Sequence, residues 1–351
     1  TTAMILLVGA ALLGKSFYRV LQVGTNFETQ RMITMRISAP RLVYGDDEKS
    51  LALSRQLLER VKSIPGVSAV GLTSTLPVTF NGNTDWIRFV GREYNGEHNE
   101  VNQRDVTPEY FTALQAKLLR GRTFLDSEDK SKPRVTVINK TLANKYFPGE
   151  DPNGKRIGDT QLTQDSIKEI IGVVDDIREG PLEAEIWPAA YYAFNQEPDV
   201  DFSVVVRTAQ SEESVLPALP DAINELDPNI NVSNLTTMTE RVRNAPQVYL
   251  RRSATWLVGG FAAVALLLGV VGLYGVVAYS VSQRTREIGV RIALGAQRSM
   301  VYSLVLREAG MLALLGIAIG LGCSVAVATL IRKLLFGISP WDATTLIGVA
   351  I

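Results

Sequence analysis

The chain has 351 residues with 36 Lys/Arg against 36 Asp/Glu, a balance that by itself would suit a soluble protein. The average hides a partition: outside residues 25–250 stand eleven Lys or Arg and three acids (Glu287, Glu308, Asp342), which leaves 25 bases against 33 acids inside. An acidic domain of that size argues against nucleic acid as partner, the lone Cys323 excludes a disulfide framework, and the lone His98, without companion ligands, reads as a surface residue and not a metal ligand.

Residues 1–14 are uncharged but too short to span a membrane alone, and Lys15 and Arg19 follow as a snorkelling pair at an interface. Gly9-Ala-Ala-Leu-Leu-Gly14-Lys15-Ser16 fits the phosphate-loop pattern, and the apolar run 170–174 followed by Asp175 resembles its acidic partner. The physics disagrees. A phosphate loop needs inward-turned backbone N–H groups, whereas Ala-Ala-Leu-Leu are helix formers continuing an apolar run. Residues 30–39 alternate as a strand. Asp46 and Asp47 can cap a helix whose apolar stripe is Leu51, Leu57, Leu58, Val61 and Ile64, stopped by Pro65-Gly66. A strand at 67–73 follows, so the order is strand, helix, strand, as in an α+β or α/β subdomain. The stretch 75–83 is polar and Gly/Asn-rich, a loop. Further strands are predicted at 86–90, 101–106, 135–139, 169–174, 190–194 and 202–207, and helices at 108–118, 140–146, 215–225 and 238–249. Turn chemistry at Asn81-Gly82, Pro148-Gly149, Asp151-Pro-Asn-Gly154 and Asp227-Pro228 separates them.

Two uncharged stretches then appear, 254–281 and 309–331. As helices they would measure roughly 42 and 35 Å, against about 30 Å of bilayer hydrocarbon, so both can span. Neither carries an ionisable residue of the kind that marks an ion path. Gly259, Gly260, Gly269, Gly272 and Gly275, then Gly310, Gly316, Gly320 and Gly322, would allow close helix packing, or reflect the general use of glycine in membrane helices. Cys323 reads as a small packing residue in the second stretch. Asp342 precedes a last apolar run, 343–351, and both chain ends read as membrane helices cut short.

Between the spans lies an arginine-rich hairpin. Read as a helix, Arg284, Glu287, Arg291 and Arg298 fall within about a 60° arc, with Glu287 and Arg291 at i, i+4. Arg286 lies off that arc, and Gly289, Gly295 and Ala296 are among the small residues of the remaining surface. Such a helix suits the membrane face, offering one charged stripe to a partner; the alternative is an ordinary basic loop that only sets topology. Charge alone does not settle which side the hairpin occupies, because basic residues also flank the far ends of the spans. No paired carboxylates, Ser/His/Asp set or metal cluster stands out, so no enzyme is expected.

Gly272-Leu-Tyr-Gly275, the run Tyr279-Ser-Val-Ser-Gln-Arg-Thr-Arg-Glu-Ile-Gly-Val-Arg-Ile-Ala-Leu-Gly-Ala296 and Leu335-Phe-Gly-Ile-Ser-Pro340 resemble the FtsX-like permeases, membrane subunits of ABC systems of the macrolide-exporter type. The large domain resembles that family's extracytoplasmic domain at Val106-Thr-Pro-Glu-Tyr-Phe111, Leu119-Arg-Gly-Arg-Thr-Phe124, Tyr146-Phe-Pro-Gly-Glu-Asp-Pro-Asn-Gly-Lys-Arg-Ile157 and Ile171-Gly-Val-Val-Asp-Asp176. Among relatives the chain looks most like the second half of a duplicated acidobacterial orphan permease. One departure is Leu114-Gln115-Ala116, where the family usually has Leu-Gly, and it bears on a local turn.

The resemblance implies a membrane α-helical plus α+β fold, with transmembrane helices flanking a large extracytoplasmic α+β domain of the macrolide-exporter periplasmic core type. It divides the chain into a truncated transmembrane helix and exit (1–24), the extracytoplasmic core domain (25–250), a transmembrane helix (251–283), a cytoplasmic coupling hairpin (284–308), a second transmembrane helix (309–331), a short external loop (332–342) and the start of a further helix (343–351). It implies a multi-pass protein of the bacterial inner membrane with no cofactor in this chain. ATP would be bound by a separate partner subunit docking on Arg284, Arg286, Glu287, Gly289, Arg291, Gly295, Ala296 and Arg298. A second permease half or homodimer partner and a periplasmic adaptor are further expected partners. The alternative function is a membrane-anchored sensor or scaffold whose outer domain binds a ligand or partner without transport.

Overall fold

Residues 2–21, 23–79, 81–286, 290, 298–330, 338–339 and 341–350 are described by a computed structural model. They divide into two units, one of Val23–Ala245 and one of Thr1–Gln22 with Pro246–Ile351.

In the Val23–Ala245 unit the period-2 pattern of strand β1 (Met32–Ser38) turns Ile33, Met35 and Ile37 inward. β1 pairs antiparallel with β11 (Asp201–Thr208), setting Met35 opposite Val204 and Arg36 opposite Ser203. β11 pairs in turn with β2 (Val67–Thr73), and β12 (Asn231–Thr237) lies on the free side of β1. Leu53, Leu57 and Val61 of helix α3 (Asp47–Lys62) and Leu219 and Ile223 of α7 (Ala218–Asn224) close this core. The predicted cap is present: the backbone N–H of Glu48 donates to Asp46 Oδ1 at 3.0 Å. The buried stripe of α3 is Leu53, Leu57 and Val61, with Leu51 and Leu58 only half-buried.

The chain then leaves this lobe after Thr73 and returns at Asp201, building a second lobe between. Its centre is β5 (Glu100–Val106), β10 (Ala189–Ala193), β7 (Val135–Asn139) and β9 (Lys168–Val174), in that spatial order. β5 with β10, and β7 with β9, run parallel. Helix α5 (Lys140–Tyr146) provides the crossover between β7 and β9 and buries Leu142 against Ile138, Ile170 and Val173. Asn139 caps it, accepting from Leu142 N–H at 2.9 Å. Strands β8 (Arg156–Gly158) and β4 (Arg88–Phe89) extend the far edge, while β3 (Thr84–Trp86) adds to β5. The two lobes form one twelve-stranded sheet, yet β2 meets β5 through a single residue pair, Thr73 with Val106.

Three predicted helices are broken, each for a local reason. The span 108–118 is only α4 (Tyr110–Leu114), because Gln115 adopts a left-handed φ of 53° and the next residues become strand β6 (Leu118–Gly121) beside β9. The span 215–225 splits into α6 (Glu212–Val215) and α7 at Pro217, which has no N–H to continue a helical ladder. The span 238–249 ends as α8 (Met238–Arg243), and Pro246 opens the next helix at its first position. The predicted strand 86–90 is likewise two short pieces, β3 and β4. Helix α2 (Arg41–Tyr44), β6, β8 and β12 have no counterpart in the sequence reading.

In the other unit, α1 (Thr2–Leu21), α9 (Pro246–Gln283) and α10 (Arg298–Leu330) are long and apolar enough to cross a membrane, with α11 (Ala343–Ala350) last. Residues 2–14 do not stand alone, since their helix continues unbroken past Lys15 and Arg19. Val8 and Leu12 of α1 pack with Ala328 and Ile338. Among the described residues a methyl group at Gly259, Gly260, Gly269, Gly272, Gly275, Gly310, Gly316 or Gly322 would meet nothing within 4 Å, whereas at Gly9 and Gly14 it would touch Val258 and Thr255 of α9. Cys323 is exposed on α10 instead of packed.

Candidate functional site

The coupling residues divide by what is described. Glu287, Gly289, Arg291, Gly295 and Ala296 lie outside the described residues, so the predicted charged stripe has no geometry to report. Arg284 and Arg286 are exposed just beyond the end of α9, and Arg298 opens α10. Residues 298–308, assigned to the hairpin by sequence, belong to the same continuous helix as the second apolar stretch.

Gly9–Ser16 lies wholly within α1, with its backbone N–H groups committed to the helix. Lys15 Nζ donates to Asp342 Oδ2 at 2.7 Å and to Thr344 Oγ1 at 2.8 Å. Asp342 also accepts from Thr345 N–H at 3.1 Å, at the start of α11. The Lys15 contact, then those of Thr345 and Thr344, hold the Asp342 carboxyl well below the usual carboxylate range. Lys15 is thus an ion-pair partner between helices, not a phosphate ligand, and Asp342 was missed because the two stand 327 residues apart. Asp175, the supposed magnesium ligand, accepts from Asp176 N–H at 3.0 Å and lies 3.7 Å from Lys140 Nζ.

The junction of the two lobes holds a buried polar cluster. Arg104 on β5 is fully buried, its Nε donating to Glu179 Oε2 at 2.8 Å and its Nη1 to the carbonyls of Gly82 and Gln103 at 3.1 and 2.6 Å. Tyr191 on β10 donates its hydroxyl to Glu179 Oε1 at 2.8 Å. Burial first, then the Glu179 charge, pushes the Tyr191 and Tyr110 hydroxyls well above their ordinary range. This cluster ties β5, β10 and the polar loop together, and nothing in the local sequence pattern marks it.

Beside the junction a cleft of about 600 Å³ opens between the lobes. Its lobe-one wall carries Arg36, Arg41, Asp199, Asp201, Ser203, Asn234 and Arg241, and its lobe-two wall includes Ser74, Thr75, Thr79, Asn83, Gln103 and Asp105. Burial, then the charge of Glu197, pushes the Asp105 carboxyl up to about 6. His98 stacks edge-on against Trp86, ring centroids 4.2 Å apart, on the second lobe.

Comparison with known proteins places these features. Residues 2–226 match the MacB-like periplasmic core domain, and residues 259–351 match the FtsX-like permease C-terminal family. A macrolide export ATP-binding/permease protein, MacB of Marinobacter nauticus, is 25% identical over 277 residues, covering 75% of this chain and 40% of that protein. The uncharacterized ABC transporter permease YknZ of Bacillus subtilis is 26% identical over 251 residues, covering 69% of this chain and 60% of that protein. This chain therefore spans less than two thirds of either relative. The crystal structure of the periplasmic region of MacB from Actinobacillus actinomycetemcomitans aligns with 65% of this chain and 99% of its own, at 13% identity and a TM-score of 0.42. With the match over residues 2–226 covering more than half of its residues, the chain belongs to the proteins that carry a MacB-like periplasmic core domain, and its residues 259–351 match the FtsX-like permease C-terminal family.

Proposed function

We propose that this chain is the permease part of an ABC-type export or mechanotransmission system. A separate subunit binds ATP and docks on the arginine-rich hairpin, and its cycle moves the Val23–Ala245 domain. That domain faces the periplasm or the cell exterior, and the hairpin faces the cytoplasm. A second permease half or a second copy completes the membrane assembly, with a periplasmic adaptor as a further partner. The observation that carries this reading is the presence on one chain of both family matches, with α1 leading into the Val23–Ala245 unit and α9 leading out of it. The hairpin supports the docking role through its composition: Arg284, Glu287 and Arg291 fall at helical spacing on one face.

Glu287→Lys tests the docking role. It would set three like charges in one stripe, which oppose docking by a few kcal/mol when desolvated, and each ~1.4 kcal/mol is tenfold in affinity. The variant should insert normally yet lose the ATPase subunit on co-purification, or lose its stimulation, while Arg286→Glu does less. Wild-type capture and stimulation by both variants would reduce the hairpin to a topology signal.

A further inference from the structure

We propose that the cleft between the two lobes of the Val23–Ala245 domain is an anion-binding site, with Arg36 and Arg241 gripping a carboxylate or phosphate group of a polar solute. Alternation along β1 sends Met35 and Ile37 into the core, so Arg36 must stand on the opposite face, toward the cleft. Arg241 reaches the same face from α8, with Nε donating to Thr34 Oγ1 at 3.0 Å and Nη2 to the Asn234 carbonyl at 2.9 Å. Thr34 and Arg36 are two residues apart on one strand face, and Arg36 and Arg241 both line the cleft.

Two of the three arginines in the lining stand outside its ion pairs. Arg41 is paired with Asp199 at 3.1 Å and Asp201 at 3.3 Å, a triad of net charge −1, and Asp105 stands on the opposite wall, so the anion would be held locally by Arg36 and Arg241 and not by a net positive cleft. Arg36 and Arg241 form no ion pair with any described residue, although Asp201 feels the charge of Arg36. Burial acts on Arg241 in the direction that disfavours its charge, which an incoming anion would offset. Planar guanidinium forks match carboxylate and phosphate oxygens in geometry as well as charge.

The opposite wall adds hydroxyl and amide groups and the Asp105 carboxyl, with Leu76 the one aliphatic side chain among the described lining residues. A cleft of about 600 Å³ is in the range of small-molecule sites, but an apolar ligand would strip water from these groups without replacing its hydrogen bonds. Left-handed backbone occurs at two lining residues, Asn83 with φ 55° and Asn234 with φ 53°, and at the buried, β-branched Val78 next to the lining residue Thr79, φ 60°. Strain of this kind persists where the surroundings hold it, and clusters at ligand clamps. The inference stands whether or not the protein transports.

The test uses the full chain purified in detergent at constant ionic strength, titrated calorimetrically with inorganic phosphate in one arm and succinate in the other. Saturable binding of at least one probe is expected, and which one binds separates a phosphate source from a carboxylate source. Arg36→Gln should weaken it about tenfold or more, the effect of losing a charge-assisted contact. The Arg36 side chain makes no hydrogen bond to a described residue, so that variant should fold, and Arg241→Lys should retain part of the affinity. Arg31→Gln, outside the cleft, should change nothing. Absence of binding by both probes, or undiminished binding to Arg36→Gln, would overturn the proposal.

Discussion

At the scale of single residues the second lobe is governed by two buried or half-buried carboxyls with opposite fates. Glu179 stays paired: its side chain is 2% exposed and that of Arg104 is 0% exposed. Removing one member of such a pair leaves an uncompensated buried charge, which costs about 3–5 kcal/mol. Glu179→Gln should therefore lower the chemical-denaturation midpoint by that order, and a loss under ~1 kcal/mol would mean the guanidinium finds other partners. Asp105 is instead raised from an ordinary 3.8 to about 6. The folded state then binds more protons than the unfolded one between these values, so stability falls as pH rises through that window and the cost is complete above about 6. Asp105→Asn should be more stable than the parent at pH 7.5 by ~1–2 kcal/mol, a figure discounted for the partial exposure of the group. The gap should close near pH 4 in thermal melts. A pH-independent difference would place the effect in packing.

At the scale of elements, α4 and its exit explain how a helical pattern turns into a strand. Gly71 on β2 admits the close approach of α4, since a methyl group there would stand 2.5 Å from the Tyr110 Cα. Past Leu114 the chain must reverse to reach β9, and it does so through Gln115 at φ 53°. A glycine at this turn would have no Cβ to strain, while a glutamine held left-handed costs roughly 1–2 kcal/mol. Gln115→Gly should raise the melting temperature, with a gain of about 1 kcal/mol once the added freedom of the unfolded chain is subtracted. A destabilised variant would show that the glutamine side chain contributes contacts of its own.

At the scale of the whole molecule the partition of charge and apolarity carries the argument. The acidic stretch and the arginine-rich hairpin flank the same long apolar helix, α9, whose 38 residues correspond to about 57 Å. They should therefore occupy opposite sides of the membrane. In a Cys323→Ala background, Asn95→Cys should react with an impermeant thiol reagent in intact cells, and Gln297→Cys should react only after lysis. The reverse labelling pattern would sink the proposed orientation, and with it the placement of an ATPase on the hairpin.

The local pattern of the chain was enough to determine much of this. Strands 67–73 and 135–139 and helix 140–146 coincide with β2, β7 and α5, because alternation, an Asn cap and turn residues at both ends all agree. The helix over the false phosphate loop was equally legible from its Ala-Ala-Leu-Leu interior. The hairpin motif and the motifs of the large domain pointed to the family directly. What only the tertiary structure decided are the pairings between residues distant in sequence. Lys15 with Asp342, Arg104 with Glu179, and Arg241 with Thr34 depend on strand register and helix contact, which no short window contains. Likewise 118–121 became a strand because β9 offered it an edge, and a pairing partner outweighs a weak local preference for helix.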